Sequence, residues 1–301
     1  MIISASRRTD IPAFFMRWFL NRLEKGVVAT QNPFNPKQIR EITLTKDSVE
    51  VIAFWTRDAR NLLLNIDEIE KAGIPFFVHY TITGYPRILE PHLPSLEAAL
   101  TIFRALSDRI GASRVIWRYD PVFVSSATPI ERHKEIFSFI AKQLQNKTQR
   151  VVLSYMDFYA KTRKQLKLID GLCFSDDEET IRKYMREDGL ASFFARTASD
   201  CGMKCVACAE PLFAGIDGIT PGACLDAAYL EQEFGHLSSL RKDRNQRPAC
   251  ACVQSVDIGA YHSCSFGCTY CYATQNRETA MRNRKRHQSE SLLILNGPEK
   301  E

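Results

Sequence analysis

The chain reads as an α/β protein with parallel strands, a full or partial TIM-like (β/α) barrel. Three observations predict this. From Met1 to about Glu210, short apolar runs rich in β-branched residues alternate with helix-like segments, the pattern of parallel strands joined by crossover helices. Several of the runs are apolar almost without interruption, as suits strands buried on both faces. Each run then ends in polar residues, and strand ends of that kind build the active-site face of a (β/α) barrel.

Taken in order, the first run is Ile2–Ala5, ending in Arg7-Arg-Thr-Asp10 and followed by a helical pattern over Ile11–Glu24. Val49–Trp55 ends in Thr56-Arg-Asp58 and leads into Arg60–Lys71, where Leu62, Leu63, Ile66 and Ile69 recur at helical spacing and predict a buried face. Phe76–Tyr80 ends in Thr81-Ile-Thr83 and precedes the helix Leu96–Ile110. Val115–Trp117 ends in Arg118-Tyr-Asp-Pro121 before Pro129–Gln145, and Val151–Leu153 ends in Ser154-Tyr-Met-Asp157 before Glu178–Ala195. Lys204–Ala207 closes the series with Cys208-Ala-Glu210. Asp, Ser and Thr at such ends also cap helices, so the polar ends predict a shared pocket with some residues serving only as caps. An open doubly wound sheet fits the same alternation; the barrel is preferred.

Gly215–Gly222 reads as a loop, and Arg241–Pro248 as a polar stretch. Val253–Ile258 reads as one more strand, feeding a cysteine loop and then a helix over Ala273–His287. Strand, loop and helix form a further βα unit. The expected organisation is therefore a barrel body over 1–210 and a cysteine-rich segment over 211–301, packed into one domain. The apolar run Leu292–Leu295 has no assigned place.

A chain of 301 residues, 45% hydrophobic, is long enough for a full core. Its start turns charged before any signal-peptide core, and no apolar run approaches the roughly 18 residues of a membrane span. A cytoplasmic protein without a membrane partner is expected. Nine of its ten cysteines fall between Cys201 and Cys271, which in a reducing compartment points to metal rather than disulfides. The net charge of +5 does not by itself point to nucleic acid. The basic stretch Arg282 to Arg286 reads first as a solvated helix end, and second as an RNA or partner contact.

The most informative feature is Cys264-x-x-x-Cys268-x-x-Cys271, with Tyr270 before the last cysteine. Three thiolates on one short loop face a single metal centre without completing a four-ligand shell. The motif resembles the signature of the radical SAM superfamily. The chain also resembles an uncharacterised bacterial domain-of-unknown-function family (family 1848) at Ile3–Pro12, Phe54-Trp-Thr56, Arg118–Pro121 and Asp257–Tyr272. The superfamily resemblance implies a [4Fe-4S] cluster on Cys264, Cys268 and Cys271, with S-adenosyl-L-methionine chelating the fourth iron. It implies one-electron cleavage of the sulfonium C–S bond to a 5′-deoxyadenosyl radical, which abstracts a substrate hydrogen. The electron would come from a reductant such as flavodoxin or ferredoxin. The backbone near Tyr270 is expected to contact adenine. The motif stands late in the chain, so a permuted barrel is implied, and Arg118 and Ser154 are the candidates for further cofactor contacts.

Cys208, Cys224, Cys250 and Cys252 make a second, four-thiolate set, read as an auxiliary [4Fe-4S] cluster or, in competition, a zinc site. Cys201-x-x-x-Cys205-x-x-Cys208 repeats the spacing, but Cys205 sits inside an apolar strand run, where neighbours point to opposite faces. Cys201 and Cys205 are therefore read as core, and so is Cys173. His79 and His92 read as hydrogen-bonded structural residues. Arg7, Arg8, Arg57 and Arg118, at strand ends, point to an anionic substrate, or else pair with Asp10, Asp58 and Asp120. Two competing classes remain: a zinc-stabilised nucleic-acid-binding protein and a non-catalytic iron–sulfur electron-transfer protein.

Overall fold

The computed structural model describes residues 1–238 and 240–295; the end of the segment expected over 211–301 lies outside them. The chain opens with β1 (Ile2–Ala5), α1 (Ile11–Phe14) and α2 (Met16–Lys25). A hairpin of β2 (Val27–Asn32) and β3 (Asn35–Thr43) follows, then β4 (Val51–Thr56), α3 (Arg60–Leu64), α4 (Ile66–Lys71) and β5 (Phe76–Thr81). Next come α5 (Leu96–Ile110), β6 (Val115–Val122), α6 (Ile130–Gln143), β7 (Arg150–Tyr155), α7 (Ala160–Lys167) and α8 (Glu178–Arg182). The described part ends with α9 (Leu190–Asp200), β8 (Lys204–Cys208), β9 (Ile219–Gly222), α10 (Ala227–Phe234), β10 (Val256–Asp257) and α11 (Arg277–Arg286).

Eight strands form one sheet in the order β10-β1-β4-β5-β6-β7-β8-β9, and every pairing in it is parallel. From β1 to β9 the order runs one way, unlike a doubly wound sheet, which reverses in the middle. Right-handed crossovers along a one-way sheet place the connecting helices on one face. That outer face carries Ile52, Phe54, Val78, Tyr80, Trp117, Tyr119 and Leu153, which join Phe19, Phe103, Phe137 and Phe194 of the helices in the larger core. The inner face carries Ile2, Val51, Ala53, Phe77, Ile116 and Val152, packed with Tyr229 and Leu230 of α10. So α10 fills the inner face at the strand N-termini and leaves the C-terminal ends open. The edges of the sheet are β9 and β10, with no pairing between them among the described residues.

Several details depart from expectation, each for a local reason. The segment Ile11–Glu24 divides at Phe15, Arg60–Lys71 divides at Asn65, and Glu178–Ala195 is interrupted before Gly189, which adopts φ 72. The stretch expected as a loop over Gly215–Gly222 contains β9, whose Ile219 is its one buried residue; Pro and Gly are tolerated on such an edge. The β2–β3 hairpin escaped the reading because nearly every residue of β3 is exposed, so no apolar alternation marks it. The unassigned apolar run belongs to a tail that laces the first helices to the hairpin. Trp18 Nε1 donates to Ser291 O (2.8 Å), Arg22 Nη2 to Glu290 O (3.0 Å) and Ala29 N to Leu292 O (3.0 Å), while Ile294 is buried.

Candidate metal centres

The C-terminal strand ends open into a cavity of about 440 Å³. Its walls bring together Cys264, Cys268, Cys271, Cys208, Cys224, Cys250, Cys252, Arg118, Ser154 and Tyr270. Arg7, Arg57, Asp120 and Asp157 line it as well.

One wall is built by β10 lying beside β1. The Asp257 carboxylate accepts hydrogen bonds from Ser4 Oγ (2.7 Å), Ser6 Oγ (2.7 Å), Arg7 N (2.9 Å), Arg8 Nε (3.1 Å) and Gly259 N (3.0 Å). Burial works against its charge, but Arg8, Ser6, Ser4 and the Arg7 N–H outweigh that and hold its pKa below the ordinary value. Gly259 has to be glycine here, because a Cβ would stand 2.1 Å from Ser6 Oγ and 2.8 Å from Thr9 Oγ1. That close approach sends the chain into the cysteine loop.

The loop is closed at its base and braced on its far side. His262, at φ 59, donates from its backbone N to Ala273 O (3.0 Å), and its Nδ1 accepts from Gln275 N (2.9 Å). From α11, Arg277 Nε donates to Ser265 O (3.2 Å), Arg284 Nη1 donates to Ser265 Oγ (2.6 Å), and Arg284 lies 4.4 Å over the Phe14 ring. The basic stretch is thus only in part a solvated helix end: Arg282, Lys285 and Arg286 are exposed, but Arg284 holds the loop.

Arg57 is the hub under the loop. It donates to Cys268 Sγ (3.6 Å), Tyr270 Oη (2.5 Å), Thr83 Oγ1 (2.7 Å) and Glu90 Oε1 (2.5 Å), and Tyr270 in turn donates to the buried Glu90. Tyr270 packs its ring edge-on against Tyr85, 6.1 Å away. Its side chain therefore anchors the loop. Burial pushes the Cys268 thiol up to about 12 although Arg57 opposes it, and burial with the Asp10 charge pushes Cys264 up well beyond the ordinary range. A bound cation would offset the burial that opposes their ionisation, and all three thiols line the one cavity. The chemistry of the donor set fits a cationic metal centre.

The second set gathers from separate elements. Cys208 ends β8, Cys224 follows β9, and Cys252 precedes β10. Their three sulfurs lie within 4.8 Å of one another, with Cys208 and Cys224 3.2 Å apart. Cys250 stands outside that trio but lines the same cavity. Arg118 Nη1 donates to Cys224 Sγ (2.9 Å) and Arg118 pairs with Asp120, which also accepts from Ser154 Oγ. Arg118 and Ser154 thus share one carboxylate. Hydrogen bonding with Cys252 pulls the Cys250 thiol down to about 6, and bonds with Cys208 and Cys224 do the same for Cys252.

The other strand-end residues sort differently. Of the pairings expected between arginines and Asp10, Asp58 and Asp120, only Arg118–Asp120 forms as drawn. Asp58 takes Arg60, and Asp10 accepts from Arg57 N (2.7 Å) and Thr56 Oγ1 (2.8 Å). Arg7 lies 5.0 Å over Trp55, and its buried Nη2 has no hydrogen-bond partner. Buried His79 places Nε2 2.8 Å from Cys224 O, and burial followed by Arg118 lowers its pKa to about 3, so it stays neutral. His92 does not line the cavity. Cys201 and Cys205 face the helix-side core, as expected, whereas Cys173 is exposed rather than buried. It follows Leu172 at a surface turn, and a short apolar run there misled the reading.

The family model described as a domain of unknown function, DUF1848, matches residues 2–273. The chain belongs to this family. The matched span contains both cysteine sets and the strands that carry them, and stops short of α11. No curated protein and no solved structure matches the chain.

Proposed function

We propose that this member of the DUF1848 family is a radical S-adenosyl-L-methionine enzyme working in a partial (β/α) barrel. The observation that carries this reading is the placement of Cys264, Cys268 and Cys271 on one braced loop, facing a cavity at the C-terminal ends of parallel strands. The loop offers three thiolates and no fourth, so a [4Fe-4S] cluster there keeps one iron free. When bound, that cluster with S-adenosyl-L-methionine supplies a 5′-deoxyadenosyl radical by one-electron cleavage of the sulfonium C–S bond.

The chain's own residues hold, orient and enclose. Arg57 and Glu90 fix the Tyr270 ring, which leaves the loop backbone to meet adenine. Arg7, with its buried and unpartnered Nη2, matches a carboxylate of the cofactor or of an anionic substrate. Asp120, bridging Arg118 and Ser154, is placed to accept hydrogen bonds from a ligand's amino or hydroxyl groups. Cys208, Cys224, Cys250 and Cys252 hold a second metal centre on the same cavity. A flavodoxin or ferredoxin supplies the electron, and the enzyme works in the cytoplasm. No helix among the described residues is long and apolar enough to cross a membrane.

Neither competing class gains comparable support. An electron carrier needs no ligand-sized cavity beside its cluster, and no residue of α11 lines the cavity that gathers the cysteines. Anaerobic reconstitution with iron and sulfide, then dithionite and S-adenosyl-L-methionine, tests the reading. The wild type is expected to release 5′-deoxyadenosine and Cys268→Ala none. Equal product from both, or none from an iron-loaded wild type, contradicts it.

A further inference from the structure

We propose that Cys208, Cys224, Cys252 and Cys250 bind one tetrahedral zinc ion, not a cluster, and that this ion staples the open seam of the sheet between β9 and β10. The site does not depend on the radical reading.

Sulfur spacing decides the nuclearity. Four thiolates around one ion at a Zn–S distance near 2.3 Å stand roughly 3.8 Å apart. In a cubane cluster each thiolate takes a different iron, so the sulfurs stand further apart than around one shared ion. Here three sulfurs lie within 4.8 Å of one another and two are 3.2 Å apart. So close a trio suits one shared ion better than a cubane, whose irons each take a separate thiolate. Cys250, two residues before Cys252 on the same cavity wall, stands outside that trio and completes the set by turning toward the ion as it binds. The contrasting loop thiols of Cys264, Cys268 and Cys271 do not form such a close group.

The charges agree. Four thiolates on one divalent cation leave a net charge of minus two, with each thiol giving its proton to solvent on binding. Arg118 donates to Cys224 Sγ at 2.9 Å, and Arg7 brings a second buried guanidinium into the same cavity. No oxidant or reductant is needed, because zinc does not change valence.

The place of the site supplies its role. Each interior neighbour pair in the sheet is held by a ladder of hydrogen bonds, whereas among the described residues β9 and β10 have none between them. β10 spans two residues, pairing with β1 only at Ile3↔Val256 and Ser4↔Asp257. Across the seam one backbone bond, Val253 N to Leu225 O (3.0 Å), joins the segments next to the cysteines. Cys224 lies just past β9, Cys252 just before β10, and Cys208 at the end of neighbouring β8. One ion ties all three, and through β10 it sets where the Cys264 loop begins. Metal binding of this kind adds directly to folding stability.

The test uses the full chain with Cys264→Ala, Cys268→Ala and Cys271→Ala combined, purified anaerobically. Zinc, iron and acid-labile sulfide are counted, and the zinc is then exchanged for cobalt. One zinc per chain, no sulfide, and the visible bands of tetrahedral cobalt thiolate are expected. Four irons with sulfide, or a metal-free protein with a Cys208–Cys224 disulfide, overturns the single-ion site. Adding Cys208→Ser should abolish the stoichiometric zinc; retention overturns the ligand set. Hydrogen exchange of the triple variant before and after chelation reads the staple without relying on that substitution. Loss of protection confined to the seam around β9 and β10 supports it. Unchanged protection there, or equal loss in β4 to β7, overturns it.

Discussion

The two cysteine sets on this cavity are built in opposite ways. Cys264, Cys268 and Cys271 come from a single loop, and their geometry is imposed from outside by Arg57, Glu90, Arg277 and Arg284. Cys208, Cys224 and Cys252 come from three separate places, and their sulfurs meet within 4.8 Å of one another. Each set has its own guanidinium: Arg57 touches Cys268 and Arg118 touches Cys224. On the assignments proposed above, one set needs the fold to position it, while the other ties the fold together. Substitutions at the two arginines should therefore separate the two centres.

The largest effect is expected at Arg57. Arg57→Met leaves the buried Glu90 carboxylate without its cation, a loss of about 3–5 kcal/mol for a pair of this kind. Urea unfolding should register that loss, and metal analysis should find the loop's iron gone while the metal on the second set stays. Adding Glu90→Gln should restore part of the stability. Iron retained at wild-type level would show that Arg57 does not position the loop.

Arg118→Met should produce the mirror image. Removing a hydrogen-bond donor to a metal-bound thiolate weakens binding about 10–100-fold. Competition with a chromophoric chelator measures it on the second set, with iron content of the loop unchanged. A loss of both metals together would dissolve the distinction between the sets.

The smallest of the three serves as a control in the helix layer, away from both sets. Burial lowers the pKa of His133 to about 4, and its neutral ring bridges Tyr119 Oη and Phe123 O. The folded value lies below the unfolded one, so the unfolded chain binds more protons as pH falls. The stabilisation is complete above about pH 6.5 and drains away toward the folded value, by about 2 kcal/mol at pH 5. His133→Gln should flatten this acid limb in denaturation midpoints taken from pH 7 to pH 5, without altering either metal content.

What the sequence made legible follows the same division. The loop set was legible because its three cysteines lie within eight residues, so spacing alone brings their sulfurs together. The strands β1, β4, β5, β7 and β8 were legible from their apolar runs, and their polar ends do converge on one cavity. The convergence of Cys208, Cys224 and Cys252 was visible only as a list of candidates, because three-dimensional closeness there depends on how β8, β9 and β10 meet. The scaffold was hidden altogether. Arg57 and Glu90 are 33 residues apart, and Asp257 binds the Arg7 amide from 250 residues away. Such partners carry no periodic signal, and an arginine after a strand gives no hint of which carboxylate it will find. The exposed hairpin β2–β3 was missed for a different reason, since without a buried face a strand leaves no alternation to read.

The proposed cluster on the loop leaves one iron open to S-adenosyl-L-methionine. It is tested most directly by electron paramagnetic resonance of the dithionite-reduced protein, with and without S-adenosyl-L-methionine, in wild type and in the Cys208→Ser variant. A [4Fe-4S] signal is expected whose g values shift on adding S-adenosyl-L-methionine, in the wild type and in the variant alike. A cluster signal that ignores S-adenosyl-L-methionine, or one abolished by Cys208→Ser but untouched by Cys268→Ala, would contradict it.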